Sequence, residues 1–137
     1  MHRIVLLLVP ILMAGCASVA GPIKPGKVYL PATLSDAEKK AVQDGVRKVL
    51  MYPDGARFGE FIAAKADDDT ATYVCGFVNA RDRSGGYPGD EPFIGLLMSD
   101  TERKGTKLFS VSYLASSNDQ VASYVPMECR NHGIMLP

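Results

Sequence analysis

Val42, Val46, Val49 and Leu50 recur at helical spacing and build one apolar stripe along an amphipathic helix. Ser35 and Glu38 mark its start as a Ser-x-x-Glu capping box, in which each side chain satisfies an orphan amide of the first turn. Asp36 and Glu38 fall in the first turn and Arg47 and Lys48 in the last, as the helix dipole prefers. Tyr52 precedes Pro53, so the helix should end near Met51, and Pro53-Asp54-Gly55 reads as a turn. Gly45 inside the helix costs about 1 kcal/mol against alanine; close packing on a sheet is its expected compensation.

Past this turn the period changes. Phe58 to Lys65 is a first strand and Asp67-Asp68-Asp69 a polar turn. In a second strand, Thr72 to Ala80, Tyr73, Cys75 and Phe77 share one face and Val74 and Val78 the other. Apolar residues on both faces suit a central strand covered on both sides. Phe93 to Met98 reads as a third strand. The fourth, Leu108 to Leu114, alternates with Phe109, Val111 and Tyr113 inward and Ser110 and Ser112 outward. Ser116 or Ser117 is placed to cap a short final helix that Pro126 should stop. The expectation is an α+β domain over residues 35–137 in two layers: an N-terminal amphipathic helix packed on a three- to four-stranded antiparallel sheet, with a short C-terminal helical segment.

The first residues follow another rule. His2-Arg3 precedes a run of 10 residues, Ile4 to Met13, that are apolar apart from a single proline. That is too short to cross roughly 30 Å of hydrocarbon, but it suits the core of a signal peptide. Ala14-Gly15-Cys16 follows, and the segment resembles the lipobox of lipoproteins processed by signal peptidase II. It departs from their pattern in Met13, where leucine is usual, and in Pro10 within the apolar run. The resemblance implies a signal peptide over residues 1–15 and diacylglycerol on Cys16. Two or three acyl chains anchor stably where one binds marginally. In such lipoproteins an aspartate after the lipidated cysteine retains the protein in the inner membrane. Ala17 stands there, which favours the outer membrane of a bacterial envelope. Residues 16–34 then read as a tether, punctuated by Gly21, Pro22, Pro25, Gly26 and Pro31.

Charge narrows the partners. The chain carries 15 basic and 15 acidic residues. Loss of the leader removes Arg3 alone and leaves a net charge of about −1. Nucleic-acid binders concentrate Lys and Arg, and this chain does not. Nor is there a polybasic stretch for a membrane surface.

With Cys16 lipidated, Cys75 and Cys129 remain, and an even pair in an oxidising compartment is most simply a disulfide. It would pin the C-terminal segment across the face of Tyr73 and Phe77. The rival is a reactive thiol paired with His132, three residues beyond Cys129, although that spacing alone fixes no geometry.

Val74-Cys75-Gly76-Phe77-Val78-Asn79-Ala80 leads to Gly85-Gly86-Tyr87-Pro88-Gly89 and then Pro92-Phe93. This resembles a pattern in small bacterial and phage proteins, in which a VCG-x-VNA strand precedes a GGY-x-G loop and an aromatic strand. The resemblance covers roughly residues 40–98, and Arg81-Asp82-Arg83 is more charged than the pattern. It implies a shared fold and carries no activity. Tyr87 has two readings: it packs on the core beneath a hairpin connection, or it belongs to a recognition loop with Arg81, Arg83, Asp90 and Glu91 as contacts.

Catalytic and metal signals are weak. Asp67-Asp68-Asp69 lacks the spacing and glycine of a calcium loop. Asp90 and Glu91 are neighbours, unlike hydrolase carboxylates, which stand roughly 5 to 9 Å apart across a substrate. No nucleophile elbow and no phosphate-binding glycine loop is present. The expectation is a non-enzymatic, cofactor-free envelope lipoprotein that binds the membrane through Cys16 and an envelope protein or glycan through its domain. The alternatives are an inhibitor of a cell-wall enzyme and a cryptic hydrolase.

Overall fold

The computed structural model describes residues 26–67, 71–115 and 119–137. The order of elements is β1 (Tyr29–Ala32), α1 (Asp36–Arg47), β2 (Arg57–Phe58), β3 (Ile62–Ala66), β4 (Thr72–Asn79), β5 (Glu91–Ser99), β6 (Lys107–Leu114) and α2 (Asp119–Asn131). All pairings are antiparallel, with strand order β1-β3-β4-β5-β6 and β2 added beside β4. The α+β class stands, but six strands replace the three or four expected. The sheet carries a helix on each face, giving three layers instead of two.

The capping box forms as the sequence implies. The Glu38 amide donates to Ser35 Oγ at 3.3 Å, and the Ser35 amide donates to Glu38 Oε2 at 2.9 Å. α1 ends earlier than Met51. The Val49 and Leu50 amides reach back only three residues, to Val46 and Arg47, so the last turn tightens before the constrained Tyr52-Pro53 step. Val49 leaves the stripe and is exposed, while Val42 and Val46 are fully buried. Gly45 lies against Phe109 of β6: an added Cβ would meet the Phe109 carbonyl oxygen and stand 2.9 Å from its Cβ. The expected close packing on the sheet is therefore met.

Residues 29–32, read as part of a tether, form a strand instead. β1 pairs Tyr29 with Ala66 and Ala32 with Ala63, and the folded unit starts before Ser35. Tyr29 supplies the reason: it packs edge-on against Tyr73 and His132 on the α2 face. Pro31 sits within this edge strand.

Two irregularities redirect side chains. The single strand expected from Phe58 to Lys65 is split. Phe58 pairs with Val78 and Ile62 with Cys75, so this segment spends one residue more than β4 between the two pairs. The extra residue swaps faces: Phe58 joins the α1 core and Ile62 the α2 core. In β6, Ile94 pairs with Tyr113 but Gly95 with Val111, which leaves Ser112 as a bulge. Tyr113, expected inward beside Phe109, consequently turns to the α2 side. There its ring lies 4.9 Å from that of Tyr124, and Leu114 takes the inner place.

The α1 face holds a chain of edge-to-face rings, Phe58–Phe61–Phe93–Phe109, with centroids 5.9 to 6.0 Å apart. Gly76 makes room for it. A Cβ there would stand 2.9 Å from the Phe61 ring and 3.0 Å from the Phe93 ring.

On the other face Ala64, Cys75, Ile94, Val125, Cys129 and Ile134 form a second core. Cys75 and Cys129 are joined by a disulfide, with Cα atoms 6.3 Å apart and neither residue exposed. α2 does not stop at Pro126 but runs through it to Asn131. A mid-helix proline costs roughly 3 kcal/mol, which burial of Val125 and Cys129 on either side offsets. The helix is closed at Gly133 (φ 71°): the Ile134 amide bonds the Cys129 carbonyl and the Gly133 amide that of Arg130. Ser116 and Ser117, the expected caps, lie outside the described residues. So do Cys16, its leader, and Asp68 and Asp69 of the acidic turn.

Candidate functional site

The sheet has two ends. The N-terminal chain enters at Tyr29, beside Ala66, and the β5–β6 hairpin with Ser99 opposite Lys107 lies at that end. β4, eight residues long, leaves it and delivers Asn79 to the other end, about 23 Å away. Here the β4–β5 loop, residues 80–90, meets the turn after α1.

The loop is built from its own polar groups. The Asp82 carboxylate accepts from the Ser84 amide (2.9 Å), Ser84 Oγ (2.6 Å) and the Gly86 amide (3.1 Å). These bonds, the Ser84 hydroxyl first, hold its pKa below the usual aspartate range. The Asp82 amide donates to the Gly86 carbonyl, and Gly85 takes a φ of 83° that a side chain would resist. At the far side the Gly89 amide donates to Asn79 Oδ1 at 3.3 Å, so the end of the strand motif ties down the end of the glycine motif.

Tyr87 is neither a core residue nor a free contact. Half-buried, it donates from its hydroxyl to the Gly55 carbonyl oxygen at 2.8 Å, and Arg81 Nε donates to the same hydroxyl at 3.3 Å. The Arg57 guanidinium lies over the ring, 3.8 Å from its centroid. The Arg81 hydrogen bond, then the charges of Arg81 and Arg57, pull the phenol below its ordinary pKa.

Beside this clamp opens a cleft of about 380 Å³. Of the five loop residues singled out from sequence, Arg81, Arg83 and Glu91 line it; Tyr87 faces Gly55 instead, and Asp90 is exposed outside the cleft. The opposite wall comes from Leu50, Met51 and Tyr52, which the sequence reading did not place at the site. Met51 is 71% exposed and Tyr52 39%. Early tightening of α1 brings them here. Arg57 opens β2, a two-residue strand too short to show a pattern in the sequence. The Asp-x-Ser-x-Gly spacing of residues 82–86 did carry a turn signal.

A larger open groove, about 730 Å³, runs between α1 and the β5–β6 hairpin. Three of its charged groups are already committed. Lys40 pairs with Asp44 at 2.6 Å, and Arg103 with the buried Asp100 at 2.9 Å.

His132 does not meet a thiol. Its ring stacks on Tyr73 at 3.8 Å, its Nδ1 donates to the Glu128 carbonyl, and Cys129 is spent in the disulfide. Among the described residues no helix is long and apolar enough to cross a membrane. No protein-family model, curated protein or solved structure matches the chain.

Proposed function

We propose that this protein is a lipid-anchored envelope protein whose α+β domain is a non-catalytic binding module. The reading joins the lipobox resemblance at Cys16 to one observation, the polarity of the sheet. The chain enters at the Tyr29 end, while the stiffened loop 80–90, the exposed Met51 and Tyr52 and the arginines Arg81 and Arg83 gather at the other. A domain held by its N-terminal chain presents that far end outward. Met, Tyr and Arg are residue types enriched in protein interfaces.

Two measurements test it. Cys16→Ser should abolish globomycin-sensitive processing, and unchanged processing removes the anchor from the proposal. A photocrosslinker at Met51 in the native envelope should give a discrete protein or glycan adduct. One at Val28, exposed near the anchored end, should not give that adduct. The same adduct from both sites, or none from Met51, removes the far end as the binding surface.

A further inference from the structure

We infer that the cleft at the far end takes an acidic peptide segment, with an apolar side chain seated against Met51, Tyr52 and Pro88 and a carboxylate paired with Arg83. This rests on the binding-module reading and adds the chemistry of the partner.

The wall of the cleft holds Arg81, Asp82, Arg83 and Glu91, an apparent balance. The balance is not what a ligand meets. Asp82 has its carboxylate turned to three donors of its own loop. Glu91 is half-buried at the first position of β5 and already engaged. Arg81 is bonded to Tyr87. Arg83 is exposed and has no hydrogen-bond or ion-pair partner among the described residues. The lining charges still balance in sum; what the cleft leaves open to a ligand is the guanidinium of Arg83, and Arg57, held over Tyr87, is a further cation behind the clamp.

The apolar part decides between anions. Leu50, Met51, Tyr52, Ala80 and Pro88 form a lining that a sulfated or phosphorylated polymer has no side chain to fill, whereas a peptide does. An anionic lipid surface is the poorer fit because the cleft lies at the sheet end away from the N-terminal chain. The loop is bonded to itself, to Asn79 and to Gly55 before any ligand arrives, so little ordering remains to be done on binding.

The test uses the intact lipidated protein in detergent micelles. Probes are immobilised eight-residue peptide pools with a central Leu, Phe or Trp flanked by Asp and Glu, and matched pools with Asn and Gln. Dextran sulfate and phosphatidylglycerol vesicles complete the set. The acidic-apolar pool should be retained and its amide counterpart lost. Arg83→Gln should weaken retention by about two- to fivefold, the range of an exposed ion pair, and Met51→Ser should weaken it too. Arg130→Gln, exposed on α2, should leave it unchanged. Equal retention of the amide pool, preference for dextran sulfate or vesicles, indifference to Arg83→Gln, or no retained pool overturns the inference. If no pool is retained while Met51 still crosslinks a discrete partner, the partner's chemistry is wrong and the binding module stands. If both fail, so does the module.

Discussion

The Tyr87 hydroxyl donates to the carbonyl oxygen of Gly55 at 2.8 Å, joining residues 32 positions apart. The bond makes one surface of two segments: the turn after α1 and the β4–β5 loop share an anchor, so the wall bearing Met51 and Tyr52 keeps its position relative to Arg81 and Arg83. The Arg57 guanidinium over the same ring closes the third side.

Tyr87→Phe keeps the ring for Arg57 and removes both hydrogen bonds. Amide exchange should accelerate in residues 53–57 and 80–90, with little change in the helices. Hydrogen exchange read by mass spectrometry checks this; unaltered exchange in both segments would show that the bond holds nothing.

Gly45→Ala sets two effects against each other. Alanine gains about 1 kcal/mol of helix propensity. Its Cβ, however, meets the backbone oxygen of Phe109, which cannot swing away as a side-chain tip could. Overpacking of this kind costs roughly 1–3 kcal/mol, so urea denaturation should show net destabilisation. A stabilised variant would mean that α1 lifts off the sheet freely.

Cys75 and Cys129 close a loop with a sequence separation of 54. The chain-entropy model assigns such a cross-link about 4 kcal/mol. Reduction, or the double substitution to serine, should lower the denaturation midpoint accordingly. Thiol labelling of the non-reduced, unfolded protein should find neither cysteine; two titratable thiols would contradict the pairing.

Acid should weaken the fold through Asp44, Asp82 and Asp100. All three are held below the usual carboxylate range: Asp44 chiefly by its hydrogen bond from Lys40, Asp82 by Ser84, and Asp100 by the Glu102 amide. In the unfolded chain their pKa is near 3.9, so the unfolded state takes up protons first. Their stabilisation is full above that range and is lost as pH falls through the lower folded values. Asp100→Asn should flatten the fall in melting temperature below pH 4; an unchanged profile would show that this carboxylate does not contribute.

How far the sequence discloses the fold depends on the range of the interaction. Ser35 and Glu38 satisfy each other three residues apart, and the two apolar faces of β4 announce a covered strand; both were legible. The cysteine pair was readable by number. Tyr29 was not, because a four-residue strand with Pro31 in it has no period to detect and is stabilised by Tyr73 and His132, far along the chain. Ser112 breaks an alternation that looked perfect, since a bulge is a property of two strands together. Pro126 is tolerated because Val125 and Cys129 are buried beside it. The site divides the same way. Arg81 and Arg83 stand out in a loop, whereas Met51 and Tyr52 reach it only through the tightened end of α1.

Pro31 and the Ser112 bulge sit on the two outermost strands of the sheet, β1 and β6. Unpaired strand edges are templates for further pairing; a proline has no amide to offer, and a bulge spoils the repeat that a neighbour would copy. On the anchoring proposed here, copies share a two-dimensional surface and meet sideways far more often than in free solution. Such blunted margins let the protein be abundant there without stitching itself into fibrils.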